Sequence, residues 1–239
     1  MSEVMTNPTP TRLMRQATRL RLRREYPVRV PDLGIAYVAA PKNACTTLKM
    51  TLYRLRFGEE FDIVNVRGRD VFHVHHVFPS QEFDARGLEG TKVEDRFCVI
   101  RDPIDRFVSF YCNRILYHDD LAKSGPLLTA QGLKTQPDIN ELVADLDKYM
   151  KAARLVRHHV LPQSYFLGTD PSLYGLVADV SELDQVRAFL SDRVGEDTGA
   201  FPRYQEGGND RKDEVHAALS PESRAALEEF YADDLRIWR

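Results

Sequence analysis

Gly34-Ile-Ala-Tyr-Val-Ala-Ala40 is an unbroken apolar run, stopped by Pro41 and followed by leucines at 48, 52 and 55. A short apolar run without alternation suits a strand buried on both faces of a parallel sheet. The leucine spacing lays one stripe along a helix, with Asn43 as its candidate cap and Gly58 as its stop. This strand–loop–helix unit recurs. Arg96-Phe-Cys-Val-Ile100 is another apolar strand, and Asp102 and Pro103 stand where an N-cap and a first-turn proline belong, opening a helix expected to reach about Tyr117. Val71 to Phe78 and Leu173 to Ala178 read as further strands. Asn140 to Leu155 reads as an amphipathic helix, Ser181 as the cap of a helix through about Val194, and Ser220-Pro221-Glu222 as the start of a terminal helix. Asp119 to Asp138 and Gly195 to Asp213 read as loops, the first a candidate lid. Strands alternating with helices imply an α/β fold, a three-layer sandwich around a central parallel sheet.

Composition narrows the function classes. The 239 residues carry 33 Lys+Arg against 36 Asp+Glu, a formal net charge of −3, which argues against a general nucleic-acid binder. No apolar run approaches the roughly 18–20 residues that cross a bilayer, so no transmembrane segment is expected. Cys45, Cys98 and Cys112 are too few for a disulfide framework and fit a reducing compartment. Residues 1–30 read as a basic arm ahead of a single domain over 31–239. Thr11 to Arg24 holds six arginines and no acidic residue. A solvated arm, peripheral contact with an anionic membrane, a transit-like segment and a helix facing an acidic substrate all remain open for it.

The loop Pro41-Lys42-Asn43-Ala44-Cys45-Thr46-Thr47 joins the first strand to its helix. Amides at a helix start are unpaired donors in the positive end of the macrodipole, and a lysine and two threonines there add an ammonium and two hydroxyls. That set suits an anion, a phosphate above all; the plain alternative is a capped helix with spare threonines. The Gly-x4-Gly-Lys-Ser/Thr of nucleoside triphosphatases is absent. A second segment is Arg101-Asp-Pro-Ile-Asp-Arg106-Phe-Val-Ser109-Phe-Tyr111. Arg101 sits at the carboxyl end of a buried strand, where ligands gather in α/β sheets. Arg106 and Ser109 share a helix face and could form a phosphate fork, unless Arg106 merely pairs with Asp102.

The two segments together resemble the type-2 carbohydrate sulfotransferases, including their bacterial relatives. The resemblance implies a P-loop-like sulfotransferase fold with PAPS (3′-phosphoadenosine 5′-phosphosulfate) as sulfuryl donor and PAP as product. It assigns Pro41, Lys42, Thr46 and Thr47 to the 5′-phosphosulfate, with Asn43, Ala44 and Cys45 in the same loop, and Arg101 and Ser109 to the 3′-phosphate. His159-Val-Leu-Pro162-Gln163 is similar to the family's His-x2-Pro-Gln element, and Arg211 and Lys212 are candidates for a late loop over the nucleotide. The implied partner is a hydroxyl-bearing acceptor, a glycan or similar, and the implied setting is a cytoplasmic bacterial enzyme.

Sulfuryl transfer needs a base, and histidine titrates near neutrality. In Val71-Phe-His73-Val-His75-His76-Val-Phe78, a strand would point His73 and His75 one way and His76 the other. No Cys or acidic residue completes a metal set at local spacing, so no metal is expected. The resemblance implies a base in this region; His75 is favoured, then His76, ahead of His158 and His159. His118 and His216 read as exposed polar residues. Cys45 reads as small-residue packing, since Thr51 rather than arginine closes the Cys-x5 spacing. Two alternatives are an ATP-dependent phosphotransferase, which would need acidic metal ligands near the loop, and a nucleotide-binding module without chemistry.

Overall fold

In the computed structural model, residues 25–66, 69–201 and 207–238 are described; the arginine-rich stretch Thr11 to Arg24 lies outside them. The chain enters with strand β1 (Val28–Val30) and, after a one-turn bend, strand β2 (Ile35–Val38). They pair antiparallel, Val28 opposite Tyr37, so the sheet reaches into the stretch expected as the arm. Helix α1 (Cys45–Phe57) follows and ends at Gly58, whose φ of 67° makes it a left-handed cap. Strands β3 (Val64–Val66) and β4 (Arg69–Phe72) form a separate antiparallel ribbon.

The expected strand over Val71 to Phe78 stops at Phe72, and Val74–Val77 is a helical turn, α2. The apolar alternation there is overridden by local capping. His73 accepts from the His75 amide, and the side chain of His76 accepts from the amide of His73. This is a capping box in which histidines replace the usual hydroxyl and carboxylate.

Strand β5 (Arg96–Ile100) lies parallel between β2 and β6 (Leu176–Asp179), giving the order β1-β2-β5-β6. Helix α3 (Pro103–Phe110) continues into a π-helical turn over Tyr111–Tyr117. The expected lid is not a bare loop, since it contains α4 (Gly125–Ala130). The expected helix over Asn140 to Leu155 is segmented into α5 (Ile139–Ala144), α6 (Leu146–Ala152) and α7 (Arg154–Val160), with an extended backbone at Ala153. Then come α8 (Gln163–Leu167), α9 (Leu183–Val194), α10 (Lys212–Ala218), α11 (Pro221–Phe230) and α12 (Ala232–Ile237). Ser181 lies in a short turn capped by Asp179 rather than capping α9 itself, whereas Ser220 does cap α11.

The sheet is buried on both faces, as the apolar runs require. Tyr37, Phe97 and Val99 pack with Leu48, Leu52 and Tyr53 of α1 and with Val186 and Leu190 of α9. Ala36, Val38, Cys98 and Ile100 pack on the other face with Phe166, Leu167 and Trp238. Three layers result, with a mostly parallel sheet in the middle. A further apolar cluster unites α3, the π-helical turn and α4 to α7 with α10 and α11. Because β2, β5 and β6 run parallel, their carboxyl ends open on one edge. Among the described residues no helix is long and apolar enough to cross a membrane.

Candidate active site

The loop after β2 is shaped by two left-handed residues that are not glycine, Lys42 (φ 69°) and Ala44 (φ 53°). Each such residue costs on the order of 1–3 kcal/mol and persists only where its surroundings over-determine it. The first hydrogen bond of α1 runs from the Leu48 amide to the Ala44 carbonyl, so the Cys45 and Thr46 amides precede it at the positive helix end.

Asn43, expected as cap and anion ligand, faces the other way. It is fully buried and donates to the Val99 carbonyl at 2.8 Å and to Gln163 Oε1 at 3.0 Å; Ala44 occupies the cap position. Gln163 also accepts from the Arg101 amide at 3.3 Å and donates to the Arg101 carbonyl at 3.0 Å. Its own amide and that of Ser164 are held by the buried carboxylate of Asp234. The His-x2-Pro-Gln element thus bolts the end of β2 to the end of β5.

That bolt brings Lys42 and Arg101 together: the Arg101 guanidinium donates to the Lys42 carbonyl at 3.4 Å. Both line a cavity of about 1170 Å³, along with Pro41, Ala44, Cys45, Thr46, Thr47 and Ser109. Lys42 Nζ donates to Asn113 Oδ1 at 2.9 Å, and Asn113 Nδ2 donates to the Gly207 carbonyl at 3.2 Å. Gly208 (φ 79°) lies against the π-helical turn so closely that a Cβ would stand 2.5 Å from the Cys112 carbonyl oxygen. This close approach carries Lys212 to the cavity wall. Arg211, expected beside it, is exposed and paired with Glu214 at 2.9 Å.

Six cations line the cavity, namely Lys42, Arg101, Arg114, Arg154, Arg187 and Lys212, and Asp184 is the one carboxylate among its described lining residues. Arg114 is paired with Asp120 at 2.6 Å, a carboxylate it shares with Lys123, and Arg187 lies 3.4 Å from Asp184. Lys42, Arg101 and Lys212 form no ion pair among the described residues, and Arg101 Nε is buried without a partner. Burial, reinforced by Arg114, Arg101 and Lys212 against a smaller opposing pull from Cys45, brings the Lys42 ammonium down to about 7. Such a site is short of negative charge.

Arg106 departs from its expected place in a phosphate fork. It is fully buried and donates to the carbonyls of Pro41, His159, Val160 and Leu161. Nor does it pair with Asp102, which caps α3 by accepting from the Ile104 and Asp105 amides at 2.9 Å. Ser109 remains on the cavity wall, and the Tyr111 hydroxyl donates to the Pro137 carbonyl at 3.0 Å.

Five histidines line the same cavity: His73, His75, His76, His158 and His159. Lys49, on the same face of α1 as Thr46, is fully buried and bonds His75 Nδ1 at 3.1 Å and Ser80 Oγ at 2.9 Å. Burial lowers it to about 8. His75 Nε2 meets Thr46 Oγ1 at 3.0 Å. Burial and then Lys49 hold His75 well below the usual imidazole range. His73 stacks on His75, with ring centroids 4.6 Å apart. His118 is exposed, as expected, whereas His216 is half-buried and contacts Asp105 at 2.9 Å. Among the described residues no three His, Cys, Asp or Glu converge as metal ligands.

A strained loop with a lysine and helix-start amides therefore stands beside an arginine at the next parallel strand end. The sequence model of the Sulfotransferase family (type 2) matches residues 28–239. The chain belongs to this family. No curated protein and no solved structure matches it. The three layers around a mostly parallel sheet are the family's P-loop-like sulfotransferase fold. Sequence reading overlooked Lys49, Asn113 and Arg114. Their signal was helical spacing: Lys49 is three residues after Thr46, and Asn113 is four after Ser109.

Proposed function

We propose that the protein transfers a sulfuryl group from PAPS to a hydroxyl of a carbohydrate or similar acceptor. The observation that carries this is the juxtaposition of Lys42 and Arg101 at neighbouring strand ends, in a cavity whose unpaired cations lack counter-charge. A nucleotide with phosphate groups on both sides of its ribose supplies anions for two stations at once. The unpartnered Arg101 Nε and the helix-start amides fit such a ligand.

The α1 amides, Thr46 and Thr47 hold the 5′-phosphate, and Arg101 and Ser109 hold the 3′-phosphate. Lys42 stabilises the negative charge that grows on the bridging oxygen as the sulfur–oxygen bond breaks, a preorganised electrostatic role. A neutral imidazole among the cavity histidines takes the acceptor proton. The cations and the helix end supply the positive field at the transferred group.

The test is incubation with sulfur-35-labelled PAPS and a panel of sugar and phenol hydroxyls, run beside labelled ATP with magnesium. Label on an acceptor from PAPS alone supports the reading. Transfer from ATP that a chelator abolishes would replace it with phosphotransfer, and PAP binding with no transfer would leave a binding module.

A further inference from the structure

We propose that His159, rather than a histidine of the 73–76 segment, is the base that accepts the acceptor's proton; this rests on the sulfuryl-transfer reading above. Sequence reading favoured His75 and then His76. The hydrogen bonds reverse that order, because a neutral imidazole accepts a proton only at the nitrogen that carries none.

At His75, the Lys49 ammonium is a pure donor, so Nδ1 accepts from it and the ring proton sits on Nε2, directed at Thr46 Oγ1. At His76, Nδ1 accepts from the His73 amide at 3.2 Å, which again leaves the proton on Nε2. At His73, Nδ1 accepts from the His75 amide at 3.3 Å, with the same consequence. All three present N–H, not a lone pair, at Nε2.

His159 is built the other way round. Its Nδ1 lies 2.9 Å from the Leu155 carbonyl, which can only accept, so Nδ1 carries the proton and Nε2 is bare. Nε2 makes no hydrogen bond among the described residues, and His159 lines the cavity. Phe110 stacks on the ring with centroids 5.7 Å apart, and Arg106 donates to the His159 carbonyl at 3.1 Å, so ring plane and backbone are both held. Lys42 and Arg114 both act on its charge, which places it in the field of the reacting group. Burial first, then His158 and these cations against a partial offset from the Leu155 bond, keep the ring neutral at physiological pH. His158, edge-on to His159, has no hydrogen bond among the described residues to fix its tautomer.

In the step, the acceptor oxygen forms a bond to sulfur while the bond from sulfur to the 5′-phosphate oxygen breaks with its electron pair. The acceptor's proton passes to His159 Nε2, and the resulting imidazolium later returns it to solvent.

The test uses the full chain labelled with nitrogen-15 histidine, with long-range proton–nitrogen NMR spectra assigned through single His→Asn variants. His159 should show the tautomer protonated at Nδ1, while His75 and His76 show the one protonated at Nε2. A spectrum with His159 protonated at Nε2 overturns the proposal whether or not PAPS is the donor. For kinetics, His159→Asn keeps a donor for the Leu155 carbonyl but removes the basic nitrogen. It should bind PAP within about twofold of wild type and lose at least about hundredfold in kcat, within the usual range for a general base. If His159→Asn turns over near the wild-type rate while His158→Gln or His75→Asn does not, the base is elsewhere. If wild type fails to bind PAP at all, the donor assignment has failed, and the tautomer spectrum still decides on His159.

Discussion

On the cation wall, Lys42, Arg101 and Lys212 face the cavity without carboxylate partners. On the histidine wall, His73, His75, His76 and His159 each have a ring nitrogen bound to a neighbouring group. On the proposed function, the first wall gains its missing partners when an anion arrives. The second has its proton positions set before any ligand enters. The difference separates binding from proton transfer: substitutions on the cation wall should alter the affinity or charge stabilisation of an anion, and those on the histidine wall should alter where protons sit. Arg106 belongs to neither wall. It shares a motif with Arg101, yet its guanidinium is used on backbone carbonyls of the loop and of α7, so its role is to hold the walls together.

The largest effect that would sharpen this contrast is at Lys42. Lys42→Ala should cut kcat by at least about hundredfold, as for loss of a transition-state donor, while leaving Tm unchanged or higher. Steady-state kinetics and thermal melting check both halves; an unchanged kcat would remove Lys42 from the chemistry. Next comes the pair of arginines. Arg101→Ala should weaken PAP binding by roughly 10- to 150-fold, the equivalent of one charge-assisted contact of about 1.5–3 kcal/mol, at unchanged Tm. Arg106→Ala should instead lower Tm by roughly 6–12 °C, from the loss of about 3 kcal/mol of buried charged hydrogen bonds. Exchange of these two phenotypes would break the division between the walls.

The pH dependence of PAP binding follows from Lys42. In the free protein its ammonium is lowered to about 7 by burial and neighbouring cations, and an anion beside it restores the charge. Between pH 7 and the ordinary lysine range, binding therefore takes up a proton, and affinity falls as pH rises, by up to about tenfold per unit. Calorimetry in buffers of different ionisation enthalpy should report that uptake, and Lys42→Met should abolish it. The smallest effect is at Lys49. Lys49→Met frees His75 Nδ1, so the His75 proton is no longer confined to Nε2 and the Thr46 hydroxyl loses its fixed orientation. PAP affinity should drop about fivefold, the worth of one neutral hydrogen bond, with a mixed tautomer at His75 in the nitrogen spectrum.

Local chemistry explains which parts were readable in the sequence. The runs Gly34 to Ala40 and Arg96 to Ile100 were legible because strands buried on both faces need continuous apolar residues, and Pro41 and Pro103 mark their ends. Lys42, Thr46, Thr47 and Arg101 were legible because a strand end followed by a helix start fixes where they stand. The histidine segment was not, because its β-like pattern is overruled by contacts between the imidazoles and its own backbone. Asn43 looked like a cap by residue type, but the amide of Gln163, distant in sequence, claims it. His159 heads the His-x2-Pro-Gln element in the sequence, but nothing there ranks it above His75. Its distinction is one bond to the carbonyl four residues back, set against three neighbours bonded in the opposite sense. Lys212 depends on the glycine pair at 207–208, which alone lets the chain pass so close to Cys112 and Tyr117.

The most direct test of the two-station nucleotide site is calorimetric titration of the wild-type chain with PAP and, separately, with AMP, which differs by the 3′-phosphate alone. PAP should bind at least about tenfold more tightly, the worth of a single charge-assisted contact near 1.5 kcal/mol. Equal affinities would mean that Arg101 does not hold a phosphate beside the Lys42 loop, and the nucleotide assignment would be wrong.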